Sequence, residues 1–195
     1  VVTADGTANT SVALVDVTAT TNTNLTSATV TGNNGANGLA AATAGVVITD
    51  GSTLNNTLTT VSLNQAANAK LTGNALTNVT ITDGSKDVTI TNTTVAHTQN
   101  LTLSGVTAGT VTDANATTVS ITSNGTATNV LTGLSATLAT AVNLTGAAGL
   151  TFGTTTFAAN AVIDASASSG ANSISLALGQ KYTGGSGVDT VTATT

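Results

Sequence analysis

The chain has no cysteine, proline, methionine or tryptophan, and neither arginine nor glutamate occurs in it. Without cysteine, disulfide staples and thiolate metal sites are excluded, although a reducing compartment does not follow. Phe152, Phe157 and Tyr182 are the only aromatic residues, so no stacking platform for sugars is evident. Charged residues make up only 6% of the chain, against roughly 25% in an ordinary soluble domain. Together with a mean hydropathy of +0.31, that scarcity argues against charge-driven disorder, which needs low hydrophobicity and high net charge. The acidic residues are all aspartate, opposed by Lys70, Lys86 and Lys181 alone, for a net charge of -5. No basic stripe is available to neutralise phosphates, which argues against a nucleic-acid partner. No apolar run is long enough for a membrane span, and the chain opens on Val1 with no basic region followed by an apolar one. It reads as a processed chain or a fragment of a longer one.

What is there is threonine, alanine, valine, asparagine, glycine and leucine. Branching at Cβ stiffens threonine and valine and suits them to a pleated surface. Period-2 alternation is explicit in VTIT (Val79 to Thr82), DVTIT (Asp87 to Thr91), NLTLS (Asn100 to Ser104), TVSIT (Thr118 to Thr122) and SISLAL (Ser173 to Leu178). In each, Val, Ile or Leu points one way and Thr or Ser the other. Asp-Gly, Asn-Gly and glycine-rich segments such as TGNNGANG (Thr31 to Gly38) separate the strands and supply turns. The best helical candidate, LAAATAG (Leu39 to Gly45), is marginal in length. The 195 residues therefore read as an all-β chain.

ITDGS occurs at Ile48 to Ser52 and again at Ile81 to Ser85, with a degenerate echo in VTDANATTVSI from Val111. Repetition at this spacing is the sign of a stacked architecture. The expectation is a right-handed β-solenoid, of the parallel β-helix or β-roll kind, with roughly 20 residues per coil. Its narrow interior suits Val, Ile, Leu and Ala; a sandwich core of this size would recruit more aromatics. An immunoglobulin-like β-sandwich is the alternative. In a solenoid, Val79, Ile81, Val88, Ile90, Leu101, Leu103, Val119 and Ile121 face inward.

Near the end stands YTGGSGVDTVT, Tyr182 to Thr192. Gly184, Gly185 and Gly187 permit a tight turn whose carbonyls converge, Asp189 adds a carboxylate, and Val191 is expected to plug the coil interior. Hard oxygen ligands in a flexible turn are what Ca²⁺ prefers. A glycine turn carrying a solvated aspartate is the other reading of the same residues. The stretch from Gly184 to Thr192 resembles the calcium-binding nonapeptide of RTX (repeats-in-toxin) proteins, G-G-x-G-x-D-x-U-x with U a large apolar residue. That resemblance implies calcium held by Gly184, Gly185, Gly187 and Asp189, in a site shared between successive turns of a β-roll. Only one full copy is present, since the preceding GQKYT lacks the glycine pair and the aspartate. The chain accordingly divides into a Thr/Val/Asn-rich body, residues 1–172, and an RTX-like turn region, residues 173–195.

Other candidates are weaker. DGSKD (Asp83 to Asp87) has two carboxylates, but between two clear strands it reads as a hairpin or solenoid corner. Asp5, Asp50 and Asp113 read as turn residues. The single histidine, His97, lies in a polar stretch with no cysteine, glutamate or nucleophile elbow nearby, and is expected to be exposed and structural. Two catalytic carboxylates cannot be paired for glycoside hydrolysis, and TGNNGANG lacks the lysine of a phosphate loop. Catalysis is not expected.

In whole-chain character, in strings such as NLTLSGVTAGTV (Asn100 to Val111) and in the terminal GGSGVDTVT, the sequence resembles bacterial surface-layer (S-layer) proteins and large secreted adhesins. The resemblance implies an extracellular location at a bacterial cell surface and a calcium-stabilised lattice or fibre made by self-association. Cell-surface polysaccharide is a further partner to consider. The alternatives are a repeat segment of an adhesin and, third, an ice-binding solenoid, for which Thr80 to Thr82 and Thr89 to Thr91 each place two threonines on one face.

Overall fold

Short runs in which a β-branched or leucine residue alternates with a small polar one can bury only one face, and each run needs neighbours on both edges. The computed structural model, which describes residues 2–3, 12–16, 25–32, 45–51, 56–93 and 96–194, meets both needs by coiling. The strands run in chain order as β1 (Val2–Thr3), β2 (Val12–Asp16), β3 (Ser27–Thr31), β4 (Val46–Asp50), β5 (Thr60–Asn64) and β6 (Ala69–Thr72). Next come β7 (Asn78–Thr82), β8 (Val88–Thr91), β9 (His97–Ser104), β10 (Thr110–Thr112), β11 (Ala116–Asn124) and β12 (Asn129–Ser135). The last are β13 (Ala141–Gly146), β14 (Leu150–Thr156), β15 (Val162–Ser168), β16 (Ser173–Leu176), β17 (Lys181–Thr183) and β18 (Thr190–Ala193). Odd-numbered strands form one nine-stranded sheet in chain order and even-numbered strands form a second.

Every strand pair among the described residues is parallel. Each strand thus pairs with the strand two places along the chain, which is a β-solenoid and not a sandwich of antiparallel sheets. Among the described residues there is no helix, and so none long and apolar enough to cross a membrane. The helical candidate at 39–44, most of the TGNNGANG turn and Asp5 lie outside the described residues. In the body, Leu63, Ile81, Leu103 and Ser123 follow one another in register, spaced 18, 22 and 20 residues apart.

The eight residues expected to face inward are all buried, the most exposed being Ile81 at 5%. They pack with Val46, Ile48, Leu58, Leu71, Leu131, Leu150, Phe152 and Ile163 into one core between the sheets. DGSKD is a corner joining β7 of the odd sheet to β8 of the even sheet. The ITDGS strings are not equivalent: Ile48 lies on β4 of the even sheet and Ile81 on β7 of the odd sheet. The shared string encodes an amphipathic strand end followed by a turn, and that need arises at corners of both sheets.

One corner repeats a backbone device. At or just past the end of successive odd strands, Gly32, Gln65, Asp83, Gly105, Gly125 and Gly146 all have positive φ, from 48° at Asp83 to 108° at Gly125. The first three send their N–H to the next rung, Gly32 to Asn64, Gln65 to Thr82 and Asp83 to Ser104, at 2.8–2.9 Å. The left-handed kink takes the chain out of one sheet while keeping it hydrogen-bonded to the coil above. Glycine fits this corner freely, aspartate tolerates it, and glutamine is strained there.

We predict that Gln65→Gly stabilises the fold by roughly 0.5–1 kcal/mol, by relieving that strain. Gly105→Ala should destabilise by about 1–3 kcal/mol, since a Cβ there would meet the Asp83 carboxylate on a strained backbone. Urea unfolding of the two variants measures both, and a stabilising Gly105→Ala would overturn the corner argument.

Candidate functional site: the Gly184–Asp189 turn

The glycine-rich stretch is the corner between β17 and β18, the last odd-to-even crossing. A Cβ on Gly185 would collide with the carbonyls of Ser168 and Ala165, and one on Gly187 with the carbonyl of Gly170. The turn therefore lies flat on the backbone of the preceding coil, which only glycine permits. A Cβ on Gly184 would crowd the Asp189 carboxylate at 2.8 Å. The structure thus sets Gly184 and Gly185 against Asp189, and lays Gly185 and Gly187 on the Ala165, Ser168 and Gly170 carbonyls of the preceding coil.

Asp189 is held tightly. Its Oδ1 accepts the Asn172 backbone N–H at 2.8 Å and the Asn172 side-chain amide at 3.1 Å, while Oδ2 accepts the Tyr182 hydroxyl at 2.8 Å. Burial pushes the carboxyl pKa up, but the Asn172 N–H, the Tyr182 hydroxyl, the Asn172 amide and the Gly185 N–H together outweigh it and hold it below the ordinary value. The Tyr182 phenol moves the opposite way, raised well above its ordinary value by burial first and then by its hydrogen bond to Asp189 and that group's negative charge.

Asp189 occupies a recurring place. Register puts Asn129 beside Leu150, and Asn172 and Asp189 each immediately precede the paired residues Ser173 and Thr190. Asn129 Oδ1 accepts the Val106 N–H at 2.8 Å, Asn172 Oδ1 accepts the Leu150 N–H at 3.2 Å, and Asp189 Oδ1 accepts the Asn172 N–H. Both amides also reach a buried serine, Asn129 to Ser123 Oγ at 2.8 Å and Asn172 to Ser168 Oγ at 3.1 Å. Each side chain satisfies a backbone donor that the corner would otherwise leave unpaired, one coil earlier. Asn172 and Asn129 were not singled out from the sequence. Their signal is an Asn or Asp at or just before the start of an even strand, as at Asn68, Asp87, Asn129, Asn172 and Asp189.

Val191 does not plug the interior. It pairs with buried Ile174 and so has the inward register, yet it is 42% exposed because β18 ends its sheet with no described strand beyond it. His97 likewise differs from expectation: it is 8% exposed, on β9, with Nε2 2.9 Å from Asp113 Oδ2. The first residue of β9 has the inward register, which its polar surroundings in the sequence disguised. Asp113 stands at a turn just past β10 as expected, whereas Asp50 is the last residue of strand β4; both are buried, each 2% exposed. Asp50 Oδ2 accepts the N–H groups of Thr57 and Leu58 at 2.8 and 2.9 Å. Gln99, two residues after His97 on β9, is also buried, and its Oε1 has no hydrogen-bond partner among the described residues. No group of three or more His, Asp or Glu side chains that could hold a metal occurs among the described residues. Any cation at Gly184–Asp189 would rest on one carboxylate and backbone carbonyls.

Searches of protein-family models, curated proteins and solved structures found no match to the chain.

Removing His97 strands a buried carboxylate. We predict that His97→Leu destabilises the fold by roughly 3 kcal/mol, and that the double variant His97→Leu/Asp113→Leu recovers much of the loss, because a buried pair replaced as a unit leaves no lone charge. Chemical denaturation of the single and double variants tests this; a double variant as unstable as the sum of both singles would refute it.

Proposed function

We propose that this chain is a structural segment of a self-assembling extracellular layer or fibre of the S-layer kind, with no catalytic role. The observation that carries the reading is the outer face of the odd sheet. Register aligns Thr29, Ser62, Thr80, Thr102, Thr122 and Thr145 in one file. A second file holds Ser27, Thr60, Asn78, Asn100, Ser120 and Asn143. Side chains link along the files, with Thr122 and Thr145 hydroxyls 3.1 Å apart and the Asn100 amide donating to Asn78 Oδ1 at 3.0 Å. The first charged side chain in the second file is Asp164, paired with Asn143. From β3 to β13 this broad, ranked face carries no charge to repel an identical face, and stacked Thr and Asn files are suited to pairing with one.

Calcium has its proposed place at Gly184, Gly185, Gly187 and Asp189, where Asp189 would supply the carboxylate and the turn its carbonyl oxygens, tying the last coil to the one before. The extracellular location rests on the S-layer and RTX resemblance. The same ranked threonines favour a second reading, an ice-binding face. Thr80 and Thr82 pair with Thr102 and Ser104, a regularity that the linear sequence hides.

Two measurements test the proposal. Electron microscopy and sedimentation of the full native chain with calcium should show ordered assemblies. Thr102→Lys/Thr122→Lys should lose them while its melting temperature stays close to wild type, as surface changes of within about 0.5 kcal/mol permit. Monomers alone from wild type, or unchanged assembly of the lysine variant, would refute the face. Ice-recrystallisation inhibition by a monomeric wild type would instead select the second reading.

For calcium, Asp189→Asn keeps the acceptor that Asn129 and Asn172 provide while removing the charge. Calcium at about a hundred times its Kd should stabilise wild type by roughly 2.7 kcal/mol, or about 5–10 °C, and Asp189→Asn hardly at all. A wild type indifferent to chelator would leave this turn purely structural.

A further inference from the structure

Asparagine followed by glycine is chemically labile, because the backbone nitrogen of the glycine can reach the side-chain carbonyl of the asparagine unhindered by a Cβ. Among the described residues this pair occurs once, at Asn124–Gly125, the end of β11. The other two pairs, Asn34–Gly35 and Asn37–Gly38, lie outside the described residues. Asn124 and the following residues through Thr128 are all exposed, and the Asn124 side chain makes no hydrogen bond to any described residue. Gly125 has φ 108°, a conformation open to glycine and closed to most residues. None of the other described asparagines precedes a glycine, and several are restrained. Asn78 and Asn100 are tied to each other, Asn143 reaches Ser120 Oγ, and Asn92, Asn129 and Asn172 are buried.

We propose that Asn124 is a self-modification site, at which the folded protein converts a neutral amide into a carboxylate without any enzyme. Gly125 N attacks Asn124 Cγ, the new N–Cγ bond forms as Cγ–Nδ2 breaks, and ammonia leaves carrying the proton from Gly125. Water then opens the cyclic imide at either carbonyl, giving aspartate or isoaspartate. Water is the only co-reactant, and nothing is oxidised or reduced.

The position makes the conversion consequential. The Asn124 backbone carbonyl accepts the amide of buried Asn129 at 2.9 Å, and that same amide holds Ser123 Oγ. In the isoaspartate product that carbonyl becomes a free carboxylate and the chain gains a methylene, so the Asn129 hub and its bond to the Val106 N–H are loosened. Asn124 also pairs with Ser104 in the file Thr31, Asn64, Thr82, Ser104, Asn124. Conversion there places a negative charge at the margin of the uncharged outer face. The chemistry stands alone, while its effect on assembly rests on the proposed function.

The experiment ages the full chain in mildly alkaline buffer at physiological temperature and maps peptides by mass spectrometry, scoring residues 33–44 apart. Asn124 should be the first described asparagine to gain an acid and isoaspartate. Asn124→Gln should lack both signals. Hydrogen exchange at Val106 should accelerate in aged wild type and not in aged Asn124→Gln. Another described asparagine converting first, or Asn124 persisting while a free peptide of residues 121–128 converts, would overturn the site. Conversion without faster exchange at Val106 would overturn the loosening of the corner. If wild type assembles when fresh, reduced assembly after conversion supports the charge effect, and unchanged assembly removes that effect while the site stands.

Discussion

The fold depends on one repeated act, the parallel in-register pairing of each strand with the strand one coil away. Parallel pairing keeps inward residues above inward residues, so a single choice of face propagates through both sheets. Ile48 lies over Leu71, and Ile81 over Leu103, because the backbone ladder leaves them no alternative. Each coil leans only on its two neighbours, which makes stability close to a sum of local terms and leaves room for corners of unequal length. The step from Val30 to Leu63, for example, spans far more chain than the step from Leu63 to Ile81.

Corners are where that regularity must be reconciled with hydrogen bonding, and two devices do it. One is the left-handed residue after odd strands; the other is the Asn or Asp ahead of even strands, which answers a backbone N–H in an adjacent coil. Asp87 shows the second device working in the opposite direction along the chain, accepting the Thr110 N–H at 2.7 Å from the following coil. His97 and Asp113 are a different feature, a polar pair inside the core where the side chains could have been apolar.

Much of this was legible in the sequence, for identifiable reasons. Strand pairs such as VTIT and NLTLS declare their buried face because the side-chain period of a strand is two, and the scarcity of aromatics pointed to a narrow interior. What the sequence hid depends on three-dimensional register. ITDGS looked like one repeat and serves two sheets. His97 looked solvent-facing because threonine, asparagine and glutamine surround it, yet His97 and Gln99 both take inward positions of β9. The strand KYT preceding the glycine turn was too short to show a period. The Asn172–Asp189 contact links residues 17 apart, which no local pattern announces.

Tyr182 is the sole tyrosine of a chain without tryptophan. Its hydroxyl is bonded to Asp189 across the last glycine turn. The near-ultraviolet absorbance and emission of these 195 residues beyond the weak phenylalanine bands therefore come from one ring in the last described coil. The protein carries its own optical reporter there, able to register the opening of that coil while the rest of the solenoid stays spectrally silent.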